Sequence, residues 1–292
     1  MGKLWITGAN GQLGMELRNL AHDHSDYDFV FTDVEDLDIT DHKAVASFVT
    51  EHKFDALINC AAYTAVDRAQ TEMEKANAIN HLAVANLARI VKQNGLAFIH
   101  ISTDYVFDGN ASEPYQEMDT PNPQSVYGRT KLDGENAIFK VNPARTLIIR
   151  TSWVYSSYGS NFVKTMLKLG REKKEINVVD DQIGSPTYAK DLATTLMGLL
   201  PKLQHAGTEM YHYANVGHCS WDTFAQTIFE LSKVKVKVNP VDSSYYPTAA
   251  QRPQYSVLAT EKIEKSYNLK IANWTDALSR CLTQMIPDTL LH

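Results

Sequence analysis

Lys3-Leu-Trp-Ile-Thr7 runs straight into Gly8-Ala-Asn-Gly11-Gln-Leu-Gly14, and residues 12–21 then read as a helix. An apolar strand, a glycine turn and a helix start, in that order, bring backbone close to a pyrophosphate. They also offer it the unpaired N–H groups and partial positive charge of a helix N-terminus. Three glycines alone would be an ordinary turn; the strand before and the helix after give them meaning. The spacing is G-x-x-G-x-x-G rather than G-x-G-x-x-G. Gly8, Asn10, Gly11, Gln12, Leu13 and Gly14 are therefore the first candidate cofactor residues.

Outward from this loop the same rhythm repeats. Residues 28–32, 56–59, 97–101 and 146–150 are further near-continuous apolar runs, as expected of parallel strands buried on both faces. Helical patterns at 41–52, 72–93 and 127–141 separate them. Strand and helix in steady alternation predict an α/β fold, a Rossmann-type doubly wound parallel sheet. After Trp153 the rhythm changes: helices at 162–171, 189–200 and 221–232, strands at 176–179 and 210–214, and an irregular Pro- and Tyr-rich stretch at 245–255. The expected division is 1–153 as an NAD(P)-binding domain and 154–292 as a smaller, mainly substrate-binding C-terminal lobe whose chain crosses back to the sheet.

Composition narrows the classes. The 292 residues are 44% hydrophobic and 21% charged, with a net charge of −6, a globular composition with no basic patch for nucleic acid or an anionic membrane. No apolar run approaches a membrane span, and no signal pattern opens the chain. Cys60, Cys219 and Cys281 are scattered and form no C-x-x-C pair, so no disulfide framework or zinc knuckle is expected, and a cytoplasmic setting fits.

Asp33 follows the second strand, about 20 residues beyond the last glycine, where a carboxylate can accept hydrogen bonds from the adenosine ribose. Asp38 and Ile39 share that loop. Between Asp33 and Asp41 there is no Arg or Lys to receive a 2′-phosphate, which leans toward NADH or dual use over strict NADPH preference. Ala61, Ala62 and Tyr63, at the end of the third strand, lie where small residues would let the cofactor rest against backbone. Tyr127-Gly-Arg-Thr-Lys131 puts a phenol and an ammonium on one helix face. The expectation is that Lys131 lowers the phenol's proton affinity toward the range useful for acid–base work. Thr103 ends the fourth strand on the side where such sheets bind ligands, and its hydroxyl can join Tyr127 on a substrate carbonyl.

Thr7–Gly14, Ala61-Ala-Tyr-Thr-Ala-Val-Asp67, Ser102-Thr-Asp-Tyr-Val-Phe-Asp-Gly109, Tyr127–Lys131 and Arg150-Thr-Ser-Trp-Val-Tyr155 together resemble the dTDP-4-dehydrorhamnose reductases of the extended short-chain dehydrogenase/reductase superfamily. Asn161-Phe-Val-Lys-Thr-Met166, Asp181-Gln-Ile-Gly-Ser-Pro-Thr187 and Arg252-Pro253 carry the resemblance into the second half. It implies reduction by NADPH or NADH of the 4-keto group of dTDP-4-dehydro-L-rhamnose, giving dTDP-L-rhamnose, the last step of that sugar donor's synthesis. Tyr127 would supply the proton, Lys131 would hold the nicotinamide ribose, and Thr103 would orient the ketone. The resemblance also implies substrate contacts from Asp104, Trp153, Asn161 and Arg252. For these four, a turn former, core packing, a helix N-cap and a surface charge stay open as alternatives.

Some members of the family form a homodimer with Mg²⁺ held by glutamates. Glu16 matches one such position, but Ala189-Lys190-Asp191 puts a lysine where an acid is expected, which argues against Mg²⁺ here. Two other readings remain open. One is another nucleotide-sugar reductase, dehydratase or epimerase of the extended short-chain family, although the acidic pair expected of dehydratases is broken by Tyr105. The other is a non-catalytic regulatory subunit resembling the methionine adenosyltransferase beta subunit.

Overall fold

The computed structural model describes residues 2–285. The chain forms β1 (Gly2–Thr7), α1 (Gln12–Leu20), β2 (Tyr27–Thr32), α2 (His42–His52), β3 (Ala56–Asn59), α3 (Val66–Ala69), α4 (Met73–Asn77), α5 (Val84–Asn94), β4 (Ala97–Thr103), α6 (Val126–Val141) and β5 (Thr146–Thr151). Then follow β6 (Val154–Tyr155), α7 (Phe162–Glu172), β7 (Glu175–Val179), β8 (Ile183–Gly184), β9 (Thr187–Tyr188), α8 (Ala189–Leu199) and β10 (Thr208–His212). The remainder is β11 (Cys219–Ser220), α9 (Trp221–Leu231), β12 (Lys237–Val241), α10 (Glu261–Tyr267) and α11 (Trp274–Met285).

Six strands make one parallel sheet in the order β10-β5-β4-β3-β1-β2. From β1 the chain steps outward to β2 and then returns to β3 on the other side. The switch point, where ligands of such sheets bind, therefore lies between β1 and β3. The strands stop level with one another: Thr7 is in register with Thr32 and Asn59, and Thr103 with Thr151.

Alternation along each strand fills two cores. Leu4, Ile6, Ile58, Ile99 and Leu147 face one layer, packed with Leu13 and Leu17 of α1 and Leu192 and Leu196 of α8. Trp5, Leu57, Phe98 and Ile148 face the other, against Val45 and Val49 of α2 and Leu87 and Val91 of α5. Burial on both faces is why these strands read as unbroken apolar runs. A separate core joins α7, β7, α9 and α11 through residues such as Met166, Ile176, Phe224 and Leu278.

The chain beyond Trp153 is shared between the two halves. Strand β10 pairs with β5, and α8 lies on α1. Residues 286–292 of the expected second lobe lie outside the described residues.

The helical pattern at 72–93 is broken into α4, a π-helical turn (Ala78–Ala83) and α5. Asn80 sits in that turn. Its Oδ1 accepts from the Tyr63 N–H at 2.8 Å, and its Nδ2 donates to the Tyr63 carbonyl at 3.1 Å and to Thr130 Oγ1 at 3.2 Å. One buried amide thus ties the loop after β3 to α6.

Candidate active site

The C-terminal ends of β1 to β5 open into a cavity of about 730 Å³. Gly8, Gly11 and Gly14 form its floor at the switch point. Gly8 has φ +62°, and a Cβ there would come within 2.6 Å of the Ala61 amide nitrogen. A Cβ on Gly14 would meet the Gly8 carbonyl oxygen at 2.4 Å, so α1 can start against the turn only without side chains. Gly11 caps α1 with no side-chain bond, leaving the first-turn N–H groups to a ligand. Asp33 stands at the rim, its Oδ2 accepting from the Asn10 N–H at 2.7 Å and its Oδ1 from the Val34 N–H at 2.8 Å. Asp38, Ile39, Ala61 and Ala62 line the same cavity, with Gln12 and Leu13. This cradle fits a dinucleotide: backbone donors for phosphates at one end, a carboxylate for ribose hydroxyls beside them.

Tyr127, Lys131 and Thr103 line that cavity together. Ser125 caps α6 by accepting from the Gly128 N–H at 3.1 Å, which starts the helix at Val126, one residue before Tyr127. A Cβ on Gly128 would meet the Tyr105 carbonyl oxygen at 2.1 Å. That bare position lets α6 press against the turn after β4, so that the Thr103 hydroxyl can act on the Tyr127 phenol.

The electrostatics differ from the simple expectation. Burial pushes Tyr127 up to about 12, with Asp104 adding to the rise and Thr103 opposing it. Burial also pulls Lys131 down to about 8, against the raising influence of Glu135 and Cys60. Its ammonium donates to the Ile101 carbonyl at 2.6 Å and lies 3.4 Å from His100 Nε2. Burial is the largest influence on the phenol, and Tyr127 keeps its proton, as reduction of a ketone requires.

Asp104 lines the cavity and is 2% exposed. Its Oδ1 accepts from Thr103 Oγ1 at 3.0 Å, and its Oδ2 has no partner. Burial lifts its carboxyl to about 6. Trp153 closes the cavity wall at a left-handed φ of +47° and stacks on Trp221 with ring centroids 3.4 Å apart. A non-glycine residue held there carries backbone strain of the kind found at ligand sites.

A second cavity of about 880 Å³ adjoins the first, and Tyr105 lines both. Phe162, Trp221, Tyr246 and Arg252 are among its walls. Arg252 Nη2 reaches Asp67 Oδ2 at 2.5 Å. Partial burial alone would raise Asp67, but the Ala250 N–H and Arg252 hold it below the usual carboxylate range.

Three candidates line neither cavity. The Tyr63 hydroxyl donates to Glu72 at 3.0 Å, and Asn10 offers its backbone N–H to Asp33. Asn161 caps α7, its Oδ1 accepting from the Lys164 N–H at 3.0 Å, while its Nδ2 donates to Gln12 Oε1 at 2.9 Å. It braces the second half against the phosphate loop.

The sequence reading missed Tyr105, Trp221 and Glu135. Glu135 was within reach, since it continues the Tyr127, Lys131 spacing by another four residues. Its carboxylate takes two bonds from Arg150, at 2.6 and 2.9 Å, and one from Ser102 Oγ at 2.5 Å.

Glu16 does not fit a cation site. It is fully buried, and Ser156 Oγ donates to its Oε1 at 2.6 Å. Lys190 acts on it, and Arg280 takes up Asp191. Among the described residues no group of three or more His, Cys, Asp or Glu could hold a metal.

Fold and site together define a Rossmann-type oxidoreductase. The chain belongs to the dTDP-4-dehydrorhamnose reductase family: the family model described as RmlD substrate binding domain matches residues 2–286. A dTDP-4-dehydrorhamnose reductase of Aggregatibacter actinomycetemcomitans is 39% identical over 288 residues, covering 95% of this chain and 97% of that protein. Two solved structures are similar throughout. The dTDP-4-dehydrorhamnose reductase of Clostridium acetobutylicum superposes with a TM-score of 0.92 at 42% identity. That of Bacillus anthracis, in complex with NADP, gives 0.93 at 40% identity. Each pairing covers 97% of this chain and 99% of the other. Among the described residues no helix is long and apolar enough to cross a membrane.

Proposed function

We propose that this chain reduces the 4-keto group of dTDP-4-dehydro-L-rhamnose to give dTDP-L-rhamnose, with NADPH or NADH as the reductant. The observation that carries the reading is the meeting of Tyr127, Lys131 and Thr103 in the cavity floored by Gly8, Gly11 and Gly14. A regulatory subunit would need the floor but not the phenol, the ammonium and the alcohol placed together beyond it.

Residues 1–153 hold the cofactor, with β10 and α8 completing their sheet and outer layer. Gly8, Gly11, Gln12, Leu13 and Gly14 take its diphosphate, and Asp33 its adenosine ribose. The bound nicotinamide supplies hydride to C4 of the sugar. Lys131 steadies the adjoining ribose and keeps positive charge near the developing alkoxide. Tyr127, with its proton retained to about 12, gives that proton to the oxygen as the carbonyl becomes an alcohol. Thr103 and Trp153 hold the sugar. The second cavity receives the deoxythymidine diphosphate, with aromatic faces for the base and Arg252 for phosphate oxygens. The same reading places the enzyme in the cytoplasm as a homodimer that assembles without Mg²⁺, which light scattering with and without chelator tests.

The deciding experiment incubates the purified protein with dTDP-4-dehydro-L-rhamnose and either reduced nucleotide and identifies the product by NMR. Oxidation of the nucleotide with appearance of dTDP-L-rhamnose supports the reading. Nucleotide binding without turnover favours the regulatory alternative.

A further inference from the structure

The Thr103 hydroxyl has one proton and two lone pairs. One lone pair takes the Tyr105 N–H at 3.2 Å, the bond that caps the turn after β4. The proton goes to Asp104 Oδ1 at 3.0 Å. As long as it does, Thr103 has only a lone pair left, one that the Tyr127 hydroxyl can reach, and a ketone oxygen brought up to Thr103 meets no donor there. Thr103 can donate to the ketone only if Asp104 gives up that hydrogen bond.

The surroundings of Asp104 point to how this happens. Its Oδ2 is buried and unpartnered, a costly position for half of a carboxylate and an ordinary one for a carboxylic acid facing a ligand. The neighbouring groups supply no charge to hold it ionised. Ser256, Thr103 and the backbone N–H groups of Asp104 and Tyr105 offer uncharged hydrogen bonds that pull the carboxyl down without outweighing burial, and the Tyr105 and Tyr127 phenols complete its surroundings. Arg252 is engaged with Asp67 and Lys131 with Ile101.

We propose that Asp104 works as a carboxylic acid in the loaded site, donating its proton's hydrogen bond to Thr103 Oγ1 and so turning the Thr103 O–H onto the keto oxygen. Asp104 takes up one proton from solvent as the site loads; its hydrogen bond with Thr103 then reverses, the Thr103 O–H turns to the keto oxygen, and Tyr127 remains the proton donor for the reaction. Asp104 is a positioning residue that acts through Thr103. Burial already lifts its carboxyl to about 6, and a bound sugar and nicotinamide dry the site further, moving the acid form toward neutral pH.

The inference rests on the reductase reading, and turnover by the unaltered protein checks that reading first; without it, the reading fails before the role of Asp104 is reached. Given turnover, three enzymes are compared from pH 5 to 9. In the unaltered enzyme, kcat falls as pH rises through the carboxyl's titration. Asp104→Asn keeps the shape and presents an amide N–H to Thr103, so it retains activity within about tenfold, and that fall disappears. Asp104→Ala supplies no donor and loses at least tenfold in kcat across the range, with cofactor affinity unchanged. Two results overturn the proposal. One is an Asn variant as impaired as the Ala variant, with activity in the unaltered enzyme rising through the same pH range. The other is a change in KM alone in both variants with the pH profile intact, which would make Asp104 a simple sugar contact.

Discussion

Lys131 is a charged side chain in a place that does not favour charge, and the consequence for stability can be measured. Its ammonium is 2% exposed, and burial lowers its titration from 10.5 to about 8. That fall corresponds to roughly 3 kcal/mol lost from the folded state at neutral pH. Because the folded value lies below the unfolded one, the unfolded chain holds the extra proton between about pH 8 and 10.5. The penalty is therefore full below pH 8 and fades as pH rises through that window, to under about 1 kcal/mol at pH 10. Lys131→Met keeps most of the stem's volume, removes the charge, and leaves the Ile101 carbonyl without its 2.6 Å partner. The last effect costs about 1–3 kcal/mol at every pH, so the variant's absolute stability at pH 7 is not the telling quantity. The difference between variant and unaltered apoprotein is, because every other titration cancels from it. Urea unfolding at pH 7, 8.5 and 10 should show the variant's relative stability falling by about 2 kcal/mol or more as pH rises. A difference that stays flat with pH would mean that Lys131 titrates alike in both states, and the buried-charge argument would fail.

Four other outcomes follow from the site. Tyr127→Phe should cut kcat by ~10²–10⁴ while NADPH affinity by fluorescence titration changes little; near-normal turnover would remove Tyr127 from proton transfer. Gly14→Ala sets a Cβ 2.4 Å from the Gly8 carbonyl oxygen, so NADPH affinity should fall at least tenfold, and an unchanged titration curve would show that the turn is not the phosphate cradle. Asp33→Ala should raise KM for NADH more than for NADPH, since only NADH offers it a free 2′-hydroxyl; equal effects would place Asp33 away from the ribose. Trp221→Ala removes the ring on which Trp153 stacks at 3.4 Å, and KM for the sugar nucleotide should rise with little change in cofactor affinity.

The sheet was legible because its strands are buried on both faces. The apolar run at 56–59 coincides with β3, and the others miss their strands by at most two residues up to β5. What lies beyond Trp153 was harder for a physical reason. β6, β8, β9 and β11 are two-residue pairings fixed by tertiary contacts, with no periodicity to read. β12 contains Pro240, which argues against a strand until its edge position beside β7 is known. The helix at 72–93 hid its π turn because the turn follows from the bonds of Asn80 across the molecule, not from helix propensity. At the site, the motifs located the phenol, the ammonium and the alcohol. They could not show that Trp153 is stacked, that Asn161 is spent on a cap and a brace, or that Asp104 holds the Thr103 proton. Trp221 and Gln12 are partners distant in sequence, the Asn161 cap on Lys164 stood only as one of two readings, and the Thr103–Asp104 bond depends on side-chain directions that a motif does not fix.

The same limit applies to Lys131, whose partners show how the site stays both charged and free. A carboxylate bonded directly to the ammonium would have raised its titration, but it would also have taken the donors a ligand needs. Here the carboxylate sits a helical turn further along. Glu135 influences Lys131 through space while its own oxygens are taken by Arg150 and Ser102. An ammonium has three donors; Ile101 takes one and His100 lies in reach of a second. The third is left for the cavity that Lys131 lines. Arg150 in turn balances Glu135, so the buried carboxylate is not itself an uncompensated charge. A directly paired lysine would be better matched to the fold and of less use to a ligand hydroxyl, and the stability lost at Lys131 is the measure of that difference.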